Sequence, residues 1–254
     1  MNINQAFEIL ALTSDSHTAR IITENRQKIS IIELLKIKYL LKHNVPVAKI
    51  IHKKWFYDLP FYTNYNTLDP RPDTETLIEA VLSDKPMHPT ILDLGTGTGC
   101  IICSLVKNIP GANGTAIDIS IKALHVTKKN IRKLNLGNRI SAQHGNFAKS
   151  NCVKQRFDII VSNPPYIAHG DKRVDIGAKH DPDIALYAKD NGLWAYKQIA
   201  QNAKKWIKPN GKIYLEIGSG MTSNVKQIFT KHGWSFDRTV KDLSGKTRVI
   251  CFIG

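Results

Sequence analysis

From about residue 74 onwards, short apolar segments alternate with amphipathic segments, and this alternation constrains the fold more than any other feature of the chain. The intervening segments are long enough for helices, as in Ser120–Asn135 and Leu193–Ile207. The predicted strands are Thr90–Leu94, Gly114–Asp118, Ile140–His144, Phe157–Ser162 and Gly211–Ile217. Alternating strands and helices form a parallel sheet covered by helices on both faces. We therefore predict an α/β fold for residues 73–254.

The end of the chain departs from this alternation. Two further strand-like segments, Trp234–Val240 and Thr247–Phe252, are separated by a short turn-like sequence rather than by a helix. Such spacing is typical of an antiparallel hairpin. We expect this hairpin at the edge of the otherwise parallel sheet.

The first 72 residues have a different pattern. Residues 1–49 are predicted to form a small helical domain. Its clearest helix carries an amphipathic stripe with a period near 3.6, formed by Ile31, Leu34, Leu35, Lys38 and Leu41. Residues 50–72 are rich in aromatic residues and proline, which predicts a short hairpin or an extended linker.

Composition places the chain among ordinary globular proteins. Hydrophobic residues make up 42% and charged residues 22%. Without a long apolar run or a signal-like start, we expect a cytoplasmic protein with no membrane contact. The formal net charge is +15, and the stretch from Lys122 to Arg156 contains no acidic residue. This stretch could attract an acidic protein, RNA or a ribosome, or it could be the solvated face of a lysine-rich chain.

Cys100 and Cys103 form a CxxC pair, which in other contexts indicates redox or zinc chemistry. A zinc site would require a second pair of ligands, whereas Cys152 and Cys251 are scattered along the chain. The pair also lies in an apolar run, so both residues are interpreted as packing residues of a helix. We predict no metal site.

A glycine-rich loop follows the first predicted strand of the sheet. It comprises Gly95, Thr96, Gly97, Thr98 and Gly99, and glycines there allow a tight turn and a close approach to a ligand. Its GxGxG spacing differs from the GxGxxG of dinucleotide-binding loops. The alternative interpretation is a turn that only tightens the junction between strand and helix.

Three residues near this loop favour a ligand site. Asp93 precedes the loop and could reach an ammonium group, and Asp118 ends the next strand, where a carboxylate can accept both hydroxyls of a ribose. Phe147 follows the third strand and offers a ring face to an adenine. The predicted ligand therefore contains an adenosine and a charged tail.

The fourth strand runs directly into Asn163, Pro164, Pro165 and Tyr166. The prolines remove backbone donors and stiffen the turn, so that nearby carbonyls are free to accept. Asn163 and the Pro164 carbonyl could grip both hydrogens of an amide or aromatic amine, while Tyr166 lies against the flat substrate group. The alternative is a proline-rich turn with an exposed tyrosine.

Together, these motifs resemble the HemK/PrmC family of peptide chain release factor N5-glutamine methyltransferases. The resemblance also rests on the segments Phe61-Tyr62, Arg71-Pro72-Asp73-Thr74-Glu75, Leu215-Glu216-Ile217-Gly218 and Arg248-Val249. It departs from the family at His180-Asp181-Pro182, where Glu-Pro is usual, and in a shorter helical N-terminal domain.

The resemblance implies a class I S-adenosylmethionine-dependent methyltransferase fold, Rossmann-like, with a mostly parallel seven-stranded sheet. It implies S-adenosylmethionine as cofactor, with class 1 release factors as protein substrates, methylated on the glutamine of a Gly-Gly-Gln motif and docked by residues 1–49. The implied cofactor-binding residues are Asp93, Gly95, Thr96, Gly97, Thr98, Gly99, Asp118, Phe147 and Asn163. The implied catalytic residues are Asn163, Pro164, Pro165 and Tyr166.

Other functions remain open at this point. A methyltransferase for a ribosomal protein glutamine, or for an adenine amine in nucleic acid, would also use this amide grip, and the basic stretch favours it. A non-catalytic binding module would be expected to have lost Asp93, Asp118 or Asn163, and all three are present. A dehydrogenase fits poorly because of the loop spacing.

Overall fold

The computed structural model describes residues 1–24, 26–171 and 176–254. The chain begins with a helical region, whose helices are α1 (Ile3–Ala11), α2 (Ser16–Thr23), α3 (Ile31–Lys42) and α4 (Val47–Ile51). The first three start at polar caps, because Asn2, Asp15 and Ser30 each accept a hydrogen bond from a backbone N–H of the first turn. These helices share a hydrophobic cluster that includes Leu10, Ile22 and Ile37.

Helix α3 covers the predicted segment, but the predicted stripe is wrong. Leu34 and Ile37 are buried, whereas Ile31 and Leu35 are 67% and 61% exposed. The predicted stripe combined residues from two faces of the helix. Apolar residues occur both on the face that packs against the other helices and on an exposed face. An exposed apolar face therefore remains on α3.

Between the helical region and the sheet, β1 (Lys54–Phe56) and β2 (Leu59–Phe61) form an antiparallel hairpin. Phe56 and Phe61 are buried and join the core of the following α/β region. A 3-10 turn, Pro72–Thr74, then leads into α5 (Glu75–Leu82).

A buried ion-pair network connects the helical region to the α/β region. The Lys49 ammonium group, on α4, is 2.6 Å from Asp181 Oδ1 and 2.9 Å from Asp69 Oδ1. The other oxygen of Asp181 lies 2.9 Å from the Arg71 guanidinium. Asp181 belongs to the His180-Asp181-Pro182 segment, where the sequence departs from the family pattern. It thus joins Lys49 and Arg71, which are distant from it in sequence.

The main sheet has seven strands within the described residues, in the order β10-β11-β9-β6-β3-β4-β5. The remaining elements, in chain order, are β3 (Thr90–Leu94), α6 (Cys100–Asn108), β4 (Asn113–Asp118), α7 (Ile121–Lys133), β5 (Ile140–His144), β6 (Phe157–Ser162), β7 (Ile167–Ala168), the 3-10 turn Ile176–His180, α8 (Asp183–Leu186), β8 (Tyr187–Ala188), α9 (Trp194–Asn202), the 3-10 turn Ala203–Lys205, β9 (Ile207–Glu216), α10 (Thr222–Lys231), β10 (Ser235–Lys241) and β11 (Thr247–Ile253).

Strands β5, β4, β3, β6 and β9 are parallel, and β10 and β11 form the antiparallel hairpin at one edge. This confirms the predicted α/β sheet and its hairpin. Strand β9 begins at Ile207 rather than at Gly211, because Ile207 pairs with Phe157 before an irregularity in the ladder. None of the helices in the described ranges is long and apolar enough to cross a membrane.

Helices cover both faces of the sheet. One core contains α5 and α6 and includes Cys103, and the other contains α9 and α10. Cys100 and Cys103 are both buried in α6, in agreement with their interpretation as packing residues.

The strand order reverses at β3, which has β4 on one side and β6 on the other. Ligands of open α/β sheets bind at this reversal, beyond the carboxyl ends of the strands.

Candidate active site

A cavity of about 420 Å³ lies at the carboxyl ends of β3, β4 and β6. Its walls come from the glycine loop, the ends of β4 and β5, the Asn-Pro-Pro-Tyr turn, residues 66–71 and residues 182–189. Of the predicted site residues, those in its lining are Gly95, Thr96, Gly97, Thr98, Asp118, Phe147, Asn163 and Pro165. The fold thus brings most of the predicted residues to one place.

The glycine loop adopts a backbone that requires glycine. Gly95, Gly97 and Gly99 have φ values of +71°, +56° and +79°. A Cβ added at Gly97 would meet no atom within 4 Å, so this glycine faces open space. A Cβ at Gly99 would instead lie 2.9 Å from the Thr127 methyl group. Gly97 therefore provides room for a ligand, whereas Gly99 allows α6 to pack against α7.

Asp93 lies beneath the loop and does not line the cavity. It is fully buried, and its Oδ2 accepts a hydrogen bond from the Thr96 hydroxyl at 2.6 Å. Its other oxygen has no hydrogen-bond partner among the described residues. Burial raises the pKa of Asp93 to about 7. The side chain is placed to hold the loop, and when it ionises it offers a negative charge just below it.

Asp118 lies in the cavity wall, as predicted. Its Oδ2 accepts from the backbone N–H of Gly97 at 2.9 Å, and its Oδ1 accepts from that of Ser120 at 2.8 Å. Each carboxylate oxygen has further lone pairs, so both can still accept from a ligand hydroxyl. Burial raises the pKa of this carboxyl group. The two hydroxyls of a ribose could donate hydrogen bonds to this carboxylate.

Phe147 also lines the cavity. Its ring lies near that of Trp194, with the ring centroids 6.3 Å apart at an angle of 48°. The Asn202 amide donates to the Phe147 carbonyl at 3.1 Å and fixes this turn. Together with Ile119, which lines the same region, the two rings form an apolar wall suited to a flat base. The residues around the glycine loop therefore fit a ligand that contains adenosine.

Asn163 lines the cavity from the end of β6. Its Nδ2 donates one hydrogen to the Thr74 hydroxyl oxygen at 3.2 Å, and its Oδ1 can accept from a ligand. The start of the turn is fixed by the Ser162 hydroxyl, which donates to the Leu94 carbonyl at 2.7 Å. Pro165 reaches the cavity beside Asn163, whereas Pro164 is buried.

Tyr166 occupies a different place from the one predicted. Its ring packs against Gly218, where an added Cβ would lie 3.0 Å from the ring, and its hydroxyl donates to Glu216 Oε1 at 3.4 Å. The side chain does not line the cavity. Tyr166 therefore supports the turn from behind, because β9 extends past β6 and provides a pocket for the ring.

Several cavity residues were not among the predicted site residues. They include Thr74, residues 66–71, Trp194, the segment 182–189 and His169, whose ring stacks on that of Tyr187 with the centroids 5.2 Å apart. Thr74 belongs to the Arg71–Glu75 segment, which carries part of the family resemblance but has no predicted role. Residues 66–70 lie in a loop, whereas Trp194 begins α9 and residues 182–189 include α8 and β8. None of them carries a local motif that marks a ligand site. No group of three or more His, Cys, Asp or Glu that could hold a metal occurs in residues 1–24, 26–171 and 176–254.

Comparison with known proteins agrees with this geometry. Residues 65–180 match the family model described as Methyltransferase small domain. The methyltransferase from Pyrococcus furiosus has a similar structure, with a TM-score of 0.60 at 17% identity, covering 86% of this chain and 98% of that one. This similarity concerns the fold alone. The class I methyltransferase fold predicted above is thereby confirmed.

Sequence relatives narrow the family. A bifunctional methyltransferase from Rickettsia felis is 38% identical over 98% of this chain, which spans about half of that relative's length (52%). The release factor glutamine methyltransferase of Flavobacterium psychrophilum is 36% identical over 83% of this chain and 76% of its own length. That of Agrobacterium fabrum is 38% identical over 82% and 74%, respectively. By its sequence, its fold and its strand-end motifs, the chain belongs to the release factor glutamine methyltransferase family.

Proposed function

We propose that this chain transfers a methyl group from S-adenosylmethionine to the side-chain amide nitrogen of a glutamine, in the Gly-Gly-Gln motif of class 1 release factors. The orientation of Asn163 carries the proposal. With its Nδ2 bound to Thr74, Asn163 offers an acceptor oxygen in the wall of the cavity that the glycine loop also lines. This arrangement suits an acceptor substrate that has N–H groups.

An amide nitrogen is a poor nucleophile, because its lone pair is delocalised into the carbonyl group. Asn163 Oδ1 and the Pro164 carbonyl would each accept one amide hydrogen, which orients the nitrogen and aims its lone pair. Holding the reacting groups in line supplies most of the rate enhancement. A strong base is not required at the start, since the proton leaves only after the nitrogen has gained positive charge.

The cofactor site is proposed on the same grounds. S-adenosylmethionine supplies an electrophilic methyl group on a sulfonium. Asp118 would accept the ribose hydroxyls, Phe147 would contact the adenine, and the Gly95–Gly99 loop with Asn163 would surround the charged end. Asp93 would act through Thr96 and through its charge beneath the loop, since it does not reach the cavity wall.

Substrate docking is proposed for residues 1–49, with residues 73–254 carrying the catalytic site. The exposed apolar face of the helical region supports this assignment, since exposed apolar patches mark interaction surfaces. This face lies on α3, and its members are Ile31, Ile32, Leu35 and Tyr39. We further propose a cytoplasmic location, and an encounter with the substrate or the ribosome that is aided by the basic stretch 122–156.

The test is incubation with labelled S-adenosylmethionine and one of three acceptors: a class 1 release factor, ribosomal proteins or nucleic acid. We expect label in the release factor, located by mass spectrometry on the Gly-Gly-Gln glutamine and absent when that glutamine is replaced by alanine. Label only in ribosomal proteins or in adenine would overturn the proposal in favour of those substrates, which the basic stretch would suit.

A further inference from the structure

Glu216 is a buried carboxyl group directly behind the proposed amide grip. It ends β9, the neighbour of β6, and the preceding residue Leu215 pairs with Ser162 at the start of the Asn-Pro-Pro-Tyr turn. Its side chain is buried, with the residue only 2% exposed, and its Oε2 has no hydrogen-bond partner within the described residues. Such a group is costly to bury and is expected to have a function.

Two hydroxyl groups connect Glu216 to the turn. The Tyr166 hydroxyl donates to its Oε1 at 3.4 Å. The Thr74 hydroxyl lies close enough to lower the pKa of the same carboxyl group, against the effect of burial. Thr74 is also the partner of the Asn163 amide. Glu216 therefore contacts Tyr166 and interacts electrostatically with Thr74, which holds the Asn163 amide.

The ionised Glu216 determines in which direction the hydrogen bonds between Thr74 and Asn163 run. An ionised carboxylate only accepts hydrogen bonds, so its charge favours the orientation in which the single hydrogen of the Thr74 hydroxyl points towards it. The Thr74 oxygen then accepts from Asn163, and only the NH₂ group of Asn163 can donate to it. The amide is thereby held with its oxygen towards the cavity.

We propose that Glu216 is a positioning residue for methyl transfer, which acts through Thr74 and Tyr166 to orient the Asn163 amide. This inference rests on the proposed function, because it assigns Asn163 as the acceptor for the substrate amide. When Glu216 is protonated it can donate to Thr74, whose own hydrogen is then free to turn to Asn163. The Asn163 amide can flip in that state and present donors instead of an acceptor to the substrate.

The electrostatics of the site support a switch near neutral pH. Burial raises the pKa of Glu216 to about 7. Charged or titratable groups that face Glu216 from the elements packed around it are Asp73, Cys100, Tyr166, Tyr196 and Arg248. Arg248 is itself paired with Asp73 at 2.6 Å and Asp242 at 2.8 Å. The ionised form is the active one, so kcat should fall as the pH drops through about 7.

The first test compares Thr74→Val and Thr74→Ser at saturating cofactor with a release factor as substrate. Valine removes the hydroxyl and keeps the shape, and serine keeps the hydroxyl. We expect kcat to fall about ten- to a hundredfold for Thr74→Val and only a few-fold for Thr74→Ser. S-adenosylhomocysteine affinity, measured by calorimetry, should stay within a few-fold in both. An unchanged kcat for folded Thr74→Val would overturn the inference.

The pH profile is the second measurement. The fall in kcat of the unaltered protein below pH 7 should be absent from Glu216→Gln, which has no group to protonate. Asp93 also has a pKa near 7, but it lies under the cofactor loop, so its ionisation should affect cofactor binding. Saturating cofactor removes that contribution from kcat. The same fall in kcat in Glu216→Gln would contradict the proposed switch.

A third measurement does not depend on the substrate. Infrared difference spectra against Glu216→Gln identify the protonated carboxyl band of Glu216. Because the Thr74 hydroxyl lowers the pKa of Glu216, the midpoint of this band should rise in Thr74→Val and not in Thr74→Ser. An equal midpoint in Thr74→Val overturns the inference. The midpoint shift can also occur in a protein that methylates no release factor. That result would overturn the proposed function and not the coupling of Glu216 to Thr74.

Discussion

The glycine loop and the Asn-Pro-Pro-Tyr turn both follow parallel strands and meet at one cavity, but they are held in different ways. The loop is held by Thr96, which donates to Asp93 three residues away, and by Asp118 at the end of the adjacent strand. The turn is held by Thr74, 89 residues from Asn163, and by Glu216, 50 residues from Tyr166.

The difference separates two kinds of site. The loop takes its shape mainly from its own glycines and from one neighbouring strand, so it can form wherever this sheet forms. The turn depends on a segment that precedes the sheet and on a strand added later in the chain. Changes in the loop should therefore affect mainly cofactor binding, whereas changes around the turn should affect mainly the transfer step.

The largest expected effect is that of Asn163→Ala. Loss of the proposed acceptor should lower kcat on the order of a thousandfold, since removing one aligned hydrogen-bonding group from an active site costs this much. Cofactor affinity should change far less. Single-turnover methylation and a thermal melt provide both quantities, with Asn138→Ala, at an exposed position, as the matched control. Near-normal turnover by folded Asn163→Ala would remove the central argument for amide methylation.

Asp118→Ala tests the loop side. Loss of the contacts to the ribose hydroxyls should weaken S-adenosylhomocysteine binding by about 2–4 kcal/mol. Asp118→Asn, which keeps one acceptor oxygen, should lose less. Calorimetry measures both affinities, and a thermal melt checks whether the Gly97 and Ser120 contacts of the loop survive. Unchanged affinity in Asp118→Ala would refute the assignment of this residue.

Asp93 should make the free energy of unfolding depend on pH. Its pKa is about 7 in the folded protein and 3.8 ordinarily, so the folded state holds a proton that the unfolded state has released. The free energy of unfolding should therefore decrease as pH rises from about 4 to 7, by about 1.4 kcal/mol for each pKa unit. Denaturant titrations should show this slope reduced in Asp93→Asn. An equal slope would show that the carboxyl group ionises without cost.

The smallest effect is expected from the basic stretch 122–156. Surface charges act on encounter rates and are screened by salt, so higher ionic strength should lower kcat/KM for the protein substrate several-fold and leave kcat unchanged. Substitution of Lys122 and Lys128 by glutamine should reduce this salt dependence. A kcat/KM that does not respond to salt would mean that the stretch is only a solvated face.

The sequence by itself determined the α/β sheet, its edge hairpin, the glycine loop and the positions of Asp118 and Asn163, because periodicity and strand-end motifs are local signals. Three strands, Thr90–Leu94, Ile140–His144 and Phe157–Ser162, have the predicted bounds. Only the tertiary structure decided the packing face of α3, since its apolar residues cover more than one face.

Tertiary structure also decided the roles of four residues at or behind the site. Asp93 supports the loop from below, Tyr166 packs behind the turn, and Thr74 and Glu216 join the proposed amide grip. Local sequence shows that a polar or aromatic residue follows a strand. It does not show whether the side chain meets the cavity or the core, because that depends on which distant segment, here residues 71–75 and the end of β9, packs against it.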